Sequence, residues 1–223
     1  SPDTCNESGL GFDLFHTGGY NAGDDFVCGF SQTHLAGVGA PELGIVSFMP
    51  ASAPVTETLT DTLGYLTALD HDTEVARPGY YAVTLPEAGI RVELTATQRA
   101  AHHRYAFPVE AVEARLGVFD LSHTVPSGEV TAAGLSLDAE AGILEGFVHS
   151  QNDFSGGYGG LSTFFHARVR GGWQGAHVWS EGSFLAGAAS VTGPQIGVVL
   201  ESEDPQVEIQ VGISYVSADG ARA

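Results

Sequence analysis

The chain predicts an all-β fold, a large antiparallel β-sandwich over residues 1–223 as one domain. Three observations carry this: strict apolar alternation in several short runs, glycine at 30 of 223 residues, and no apolar stripe at helical spacing over the length a globular helix needs. In chain order, Tyr81, Val83 and Leu85 alternate with polar or small residues, followed by Ile90, Val92, Leu94 and Ala96. Such a period of two places the apolar side chains on one face of a strand. Leu161, Thr163, Phe165, Ala167 and Val169 repeat the pattern, and Ile196–Leu200 is a continuous apolar run bounded by Gly and Ser. From Val207 the apolar positions are Val207, Ile209, Val211, Ile213 and Tyr215, a half-buried strand. Glycine, at about twice its usual share of about 7%, clusters with Pro, Asn, Asp and Ser between these runs, where turns need positive φ. Asp120–Ser127 and Gln151–Gly160 read as the longer loops. Many short strands joined by turns make a sandwich. The sequence shows neither an internal repeat nor a low-complexity linker.

Composition narrows the partners. Apolar residues are 43% and charged residues 16% of the chain, which excludes an intrinsically disordered polymer. No apolar run approaches the roughly 18 to 20 residues that cross a bilayer, so no membrane insertion is expected. Ser1-Pro2-Asp3-Thr4 lacks the basic and apolar regions of a signal peptide, and any export signal is expected to have been removed. Acidic residues outnumber basic ones by 27 to 8, for a formal net charge of -19, and every basic residue is arginine. Nucleic acids and anionic membranes draw their affinity from basic side chains, so neither is an expected partner. The excess acid is either solubility at high salt or the residue usage of a genome that avoids lysine, the reading preferred here.

Cys5 and Cys28 are too few for a metal knuckle. They either close one loop in an exported protein or remain two buried thiols. The nine histidines lack the two-His helical spacing of a zinc protease. His102 and His103 are expected on opposite faces of a strand, and Trp173 and Trp179 as packing residues near a glycine-rich edge.

Three stretches give the chain a family resemblance. Gly29-Phe30-Ser31-Gln32-Thr33-His34-Leu35-Ala36-Gly37, followed by Phe48-Met49-Pro50, is similar to the GFSHTHLSG and MP signature of glycoside hydrolase family 92. Glu74 with Pro78-Gly79-Tyr80-Tyr81-Ala82-Val83, then Gly89 to Thr97 and His103-Arg104-Tyr105-Ala106-Phe107-Pro108, form the second stretch. Val211-Gly212-Ile213-Ser214-Tyr215-Val216-Ser217 resembles the strand that closes the family's N-terminal domain. Together these stretches span nearly the whole chain.

The resemblance implies the N-terminal β-supersandwich of a secreted or cell-surface, calcium-dependent, inverting exo-α-mannosidase acting on mannose-containing glycans, α-1,2-linked by preference. It also implies a chain that begins after the family's first strand and stops where a C-terminal (α/α)6 barrel would follow. In the family the acid and base carboxylates and most calcium ligands lie on that barrel. No catalytic or metal residue is therefore expected here, and the chain alone is expected to be inactive. An inverting glycosidase needs two carboxyl groups about 6.5 to 9.5 Å apart, while the sandwich lends loops to one wall of the pocket.

The expected substrate-binding residues are Phe12, Phe15, His16, Tyr20, Asp24 and His34. Gly19-Tyr20-Asn21-Ala22-Gly23-Asp24 matches the family's GYHYSD stretch by its distance from Gly29, although the tryptophans that precede that stretch are absent. Phe12 and Phe15 are the nearest aromatics, each a sugar platform or a core residue, and His16 is a sugar contact or a solvated loop residue. His34 matches a family histidine, with Gln32 replacing a second one. It is either a ligand contact or a buried ring satisfied by the backbone. Asp24 and Asp25 read as surface or subsite residues. Arg104 is expected to pair with a carboxylate, and Asn152–Tyr158 mixes polar and aromatic groups as sugar sites do, although most such loops are only long turns. Two rival readings remain: a free-standing carbohydrate-binding sandwich, and a module that docks a protein partner through an apolar surface.

Overall fold

The structure, a computed structural model, describes residues 1–6, 18–35, 40–110 and 113–223. Two antiparallel sheets face each other. The first runs, in spatial order, Pro2–Cys5, Phe26–Phe30, Ser47–Ala51, Leu116–Asp120, Ile196–Ser202, Trp173–Ser180 and Ser183–Phe184, with Thr67–Ala68 beside Phe26–Phe30. The second runs Ser190–Gly193, Glu129–Asp138, Ile143–Gln151, Leu161–Arg170, Gln206–Ser214, Ala100–Ala106, Ile90–Ala96, Tyr80–Leu85 and Val75–Arg77. A small hairpin, Thr33–His34 with Leu43–Ile45, projects beyond the first sheet.

The alternating runs occupy the second sheet, where one face is packed and the other meets solvent. Val207, Ile209 and Val211 are buried, while Gln206 and Gln210 between and beside them are exposed. The continuous run Ile196–Leu200 takes an interior place in the first sheet, between Leu116–Asp120 and Trp173–Ser180, and all five residues are buried. Aromatic rings join the layers. Phe48 stacks on Phe119 with centroids 4.2 Å apart, and Phe119 meets Phe165 of the opposite sheet edge-on at 5.2 Å. Trp179 is buried against Gly197, where a Cβ would fall 2.2 Å from the indole.

Cys5 and Cys28 form a disulfide with Cα atoms 6.1 Å apart, tying the first two strands together. His102 and His103 do point to opposite faces, and only His103 is buried. Arg104 pairs with Glu93 on the neighbouring strand. A short helix, Ala218–Arg222, follows the closing strand; the Ser217 hydroxyl accepts the Gly220 amide at 3.1 Å. It lies over the outer face at Gly212, where a Cβ would stand 2.1 Å from the Ala221 carbonyl oxygen. Register places the segments 31–35, 40–46, 121–128 and 152–160 at one end of the sandwich, since Phe30 opposes Phe48, and Asp120 opposes both Ser47 and Gly197.

Candidate functional site

The turn 18–24 lies along the outer edge of Pro2–Cys5 at this end. Gly19 has φ +85°, and a Cβ there would meet Asp3 Oδ1 at 2.5 Å and His34 Nε2 at 2.6 Å. Both the backbone angle and the close approach require glycine. The Thr4 amide donates to the Gly19 carbonyl at 2.8 Å. The Thr4 hydroxyl accepts the Asn21 amide at 2.7 Å and donates to Asp24 Oδ2 at 2.6 Å. Asp24 is consequently buried, not a surface residue as its place in a polar turn suggested. Its carboxylate holds the turn onto the first strand, whereas Asp25 is exposed.

Glu74 is the hub of the site. Tyr20 Oη donates to its Oε2 at 3.0 Å, Tyr81 Oη to its Oε1, and His71 Nδ1 to its Oε2 at 2.5 Å. His71 Nε2 donates to the Asp24 carbonyl at 2.7 Å. Both ring nitrogens of His71 thus face acceptors, which only the imidazolium can satisfy. Its pKa is accordingly raised, first by the Glu74 hydrogen bond and then by the Asp24 carbonyl. Burial, reinforced by the Glu74 charge, pushes the Tyr20 phenol up to about 12 and the Tyr81 phenol well above its usual value. Both phenols stay protonated and act as donors.

Beside this hub a buried carboxylate sits between two imidazoles. Asp3 Oδ1 accepts from His34 Nε2 at 2.5 Å, and Asp3 Oδ2 from His123 Nε2 at 2.8 Å. Burial alone would raise the Asp3 pKa, but the two rings outweigh it and hold the carboxyl far below its usual range. Burial likewise opposes charge on His123, yet its hydrogen bond to Asp3 prevails and raises its pKa. The remaining His34 nitrogen lies 3.0 Å from Ser1 Oγ, and Ser31 Oγ is 3.0 Å from Nε2. His34 is therefore satisfied by side chains rather than by backbone. Gln32, which replaces the second motif histidine, donates to His103 Nε2 at 3.1 Å, while His103 Nδ1 meets Tyr105 Oη at 2.8 Å. Burial pulls the His103 pKa down to about 3, so this ring is neutral.

An open groove of about 480 Å³ runs past Tyr20, Glu74, Arg77, Tyr80, Tyr81 and His103. Its floor is largely apolar and its polar groups converge at Glu74, the composition of a site for a ligand with both faces. Of the expected site residues, Tyr20 lines the groove, Asp24 supports it from beneath, and His34 stands at the same end across Gly19. Phe12, Phe15 and His16 lie outside the described residues. The sequence reading passed over Glu74, His71, Asp3 and His123 as site residues. Glu74 was signalled by its place in the second motif, whereas the others are assembled by long-range contacts that no local pattern announces. Among the described residues no group of three His, Cys, Asp or Glu side chains could hold a metal ion. The Asp3 oxygens each accept from an imidazole, so this cluster does not offer them to calcium.

An antiparallel sandwich with a largely apolar groove over its strand ends, its polar groups gathered at Glu74, describes the molecule. The chain belongs to the glycosyl hydrolase family 92 N-terminal domain family, whose model matches residues 3–214. Among solved structures, it is similar to a family GH92 α-mannosidase from Bacteroides thetaiotaomicron in complex with mannoimidazole. That likeness has a TM-score of 0.85 at 23% identity and covers 100% of this chain and 29% of that one. A GH92 inverting mannosidase from the same organism gives 0.80 at 20% identity, covering 100% and 28%. The GH92 glycosyl hydrolase ccman5 gives 0.74 at 26% identity, covering 92% and 28%. The chain thus spans under a third of the length of these relatives. A comparison with curated proteins returned no match.

Proposed function

We propose that residues 1–223 form the single N-terminal sandwich domain of an exported, inverting exo-α-mannosidase that removes α-1,2-linked mannose from the non-reducing ends of glycans. The observation that carries the reading is the family match over residues 3–214 together with the groove that its second motif builds around Glu74. In this reading the groove end is one wall of the active-site pocket. Tyr20 and Tyr81 present phenolic edges there, the His71–Glu74 pair fixes their direction, and the Thr4 and Asp24 contacts keep the turn 18–24 in place. The acid, the base and most of the calcium ligands belong to a following (α/α)6 domain. One carboxylic acid protonates the leaving oxygen while a carboxylate activates water on the other face of the sugar. The disulfide supports export, since such bonds persist in oxidising compartments.

The test is mannose release from an α-1,2-linked mannobiose. The 223-residue chain alone should show none, with or without calcium, because losing acid and base costs orders of magnitude in rate. An enzyme that carries this domain with its catalytic partner should release mannose with inversion, followed by anomeric NMR. Calcium-dependent turnover by the isolated chain would refute the division of roles. A folded but inert two-domain protein would remove the mannosidase reading and favour a free-standing binding module.

A further inference from the structure

The loop between strands Ile143–Gln151 and Leu161–Arg170 holds two aromatic rings in solvent on a pinned backbone. Phe154 is 59% and Tyr158 is 90% exposed. Isolated exposed apolar residues are ordinary; what sets this pair apart is the scaffold beneath it. Glu42, itself 94% buried, accepts the Phe154 amide at 3.0 Å and the Ser155 amide at 3.3 Å. The Asn152 amide donates to Ser155 Oγ at 3.0 Å, and Asn152 Oδ1 accepts the Leu43 amide at 3.3 Å. Gly156 donates to the Asn152 carbonyl and Gly160 to that of Ser155, each at 2.8 Å. From the neighbouring strand, His149 Nε2 donates to the Gly159 carbonyl at 2.9 Å. A buried carboxylate and an asparagine, reaching across more than 100 residues of sequence, are thus committed to the shape of a loop whose two largest side chains add nothing to the core.

The space around the rings is equally specific. At Gly157 and Gly159 nothing stands within 4 Å of where a Cβ would be, so a flat ligand can approach the backbone beside Tyr158. Polar groups border this surface: Gln151 is half-buried and Asp153 exposed. Exposed aromatic faces on a pinned backbone, beside hydrogen-bonding side chains, match a pyranose, whose C–H face is apolar and whose rim is hydroxyl. The formal charge of -19 disfavours a sulfated or otherwise anionic sugar.

We infer that the loop 152–160 is a second sugar-binding platform, distinct from the Glu74 groove, which takes a neutral hexose of a glycan by stacking on Tyr158 and Phe154. Its residues do not line the groove, and it is joined to the groove end through the small hairpin, in which His34 pairs with Leu43, next to Glu42. The platform stands on its own geometry, whereas the choice of mannose as the first probe rests on the proposed function.

Saturation-transfer NMR and calorimetry on the 223-residue chain test this, with methyl α-mannoside and with manno-, gluco- and galacto-oligosaccharides. The wild type should bind at least one neutral oligosaccharide. Tyr158→Ala should weaken that binding about tenfold, the value of one aromatic face, while Tyr158→Phe keeps the face and stays within about twofold. Both side chains are exposed, so the melting temperature of Tyr158→Ala and Phe154→Ala should match the wild type, separating lost binding from lost fold. Absence of saturation transfer at about 20 mM ligand, or a Phe154→Ala/Tyr158→Ala double variant that binds as the wild type does, overturns the platform. Rings needed for association with a protein partner but not for sugar would overturn it as well. Ring-dependent sugar binding in a chain whose two-domain parent hydrolyses no mannoside would uphold the platform while removing the mannosidase reading.

Discussion

Replacing Glu74 by Gln probes the site at its hub. The carboxylate accepts from Tyr20, Tyr81 and His71, and its side chain is only 13% exposed. A hydrogen bond to a charged partner contributes about 1.5 to 3 kcal/mol when largely out of water. The amide retains one acceptor oxygen but turns an NH2 toward the donor at the other position. Either phenol can rotate and accept from that NH2. His71 can do so only by giving up its Nδ1 proton while Nε2–H stays on the Asp24 carbonyl, so the charge-assisted bond that raises its pKa is lost. Its side chain is 35% exposed, so the charge interaction sits at the low end of its range. With one donor displaced and the others weakened, the expected loss is about 2 to 3 kcal/mol. This corresponds to a fall in melting temperature of roughly 5 to 10 °C for a chain of this size. The assay is urea unfolding of the 223-residue chain at pH 6 and pH 8. The His71 pKa is raised above its unfolded value of 6.5, so its contribution is complete below that pH and is lost as pH rises through the folded value. The gap between wild type and Glu74→Gln should therefore narrow toward pH 8. A variant within about 0.5 kcal/mol of wild type at pH 6, or a gap independent of pH, would refute the hub.

Three further outcomes follow from the same structure. Reducing the Cys5–Cys28 bond, which closes a separation of 23 residues, should cost about 3 kcal/mol of stability in denaturant unfolding. Gly197→Ala should lower stability by about 2 kcal/mol or more, or prevent folding, because its Cβ would lie 2.2 Å from the Trp179 ring and 2.3 Å from the Phe119 carbonyl oxygen; soluble yield and thermal melting read this. Adding calcium or a chelator should leave the melting temperature of the chain unchanged, since the described residues offer no three-ligand site.

The fold was legible where side chains alternate without interruption. Ile90, Val92, Leu94 and Ala96 mark the strand Ile90–Ala96 to its ends, and the run from Val207 recovers Gln206–Ser214 to within a residue. The long pair Glu129–Asp138 and Ile143–Gln151 was not legible, because glycines replace side chains on both of its faces, Gly146 between the core residues Leu144 and Val148 and Gly134 on the outer side. A Cβ at Gly146 would stand 1.9 Å from the Gly134 carbonyl oxygen, and one at Gly134 would meet the Phe147 ring at 2.7 Å. Close backbone packing there erases the alternation that would announce a strand. At the site, Tyr20 and His34 could be named because motifs carry them. The burial of Asp24, expected at the surface or in a subsite, was not legible because it depends on Thr4, and no pattern around a polar turn reveals a hydroxyl 20 residues away. Asp3 and His123 meet across 120 residues, a pairing set by strand order rather than by any local spacing.

The contacts around Glu74 close on themselves. From Tyr20 the path runs through Glu74 and His71 to the carbonyl of Asp24, and the backbone of residues 20–24 returns it to its start. Mutations in such a closed circuit should show strong epistasis. Tyr20→Phe in the wild type breaks a closed path, whereas the same change after Glu74→Gln removes a link that no longer leads anywhere, so the second loss should be much smaller than the first. Substitutions here are then expected to be tolerated in combinations rather than singly, and variation at position 20 among related chains should be contingent on what occupies positions 71 and 74.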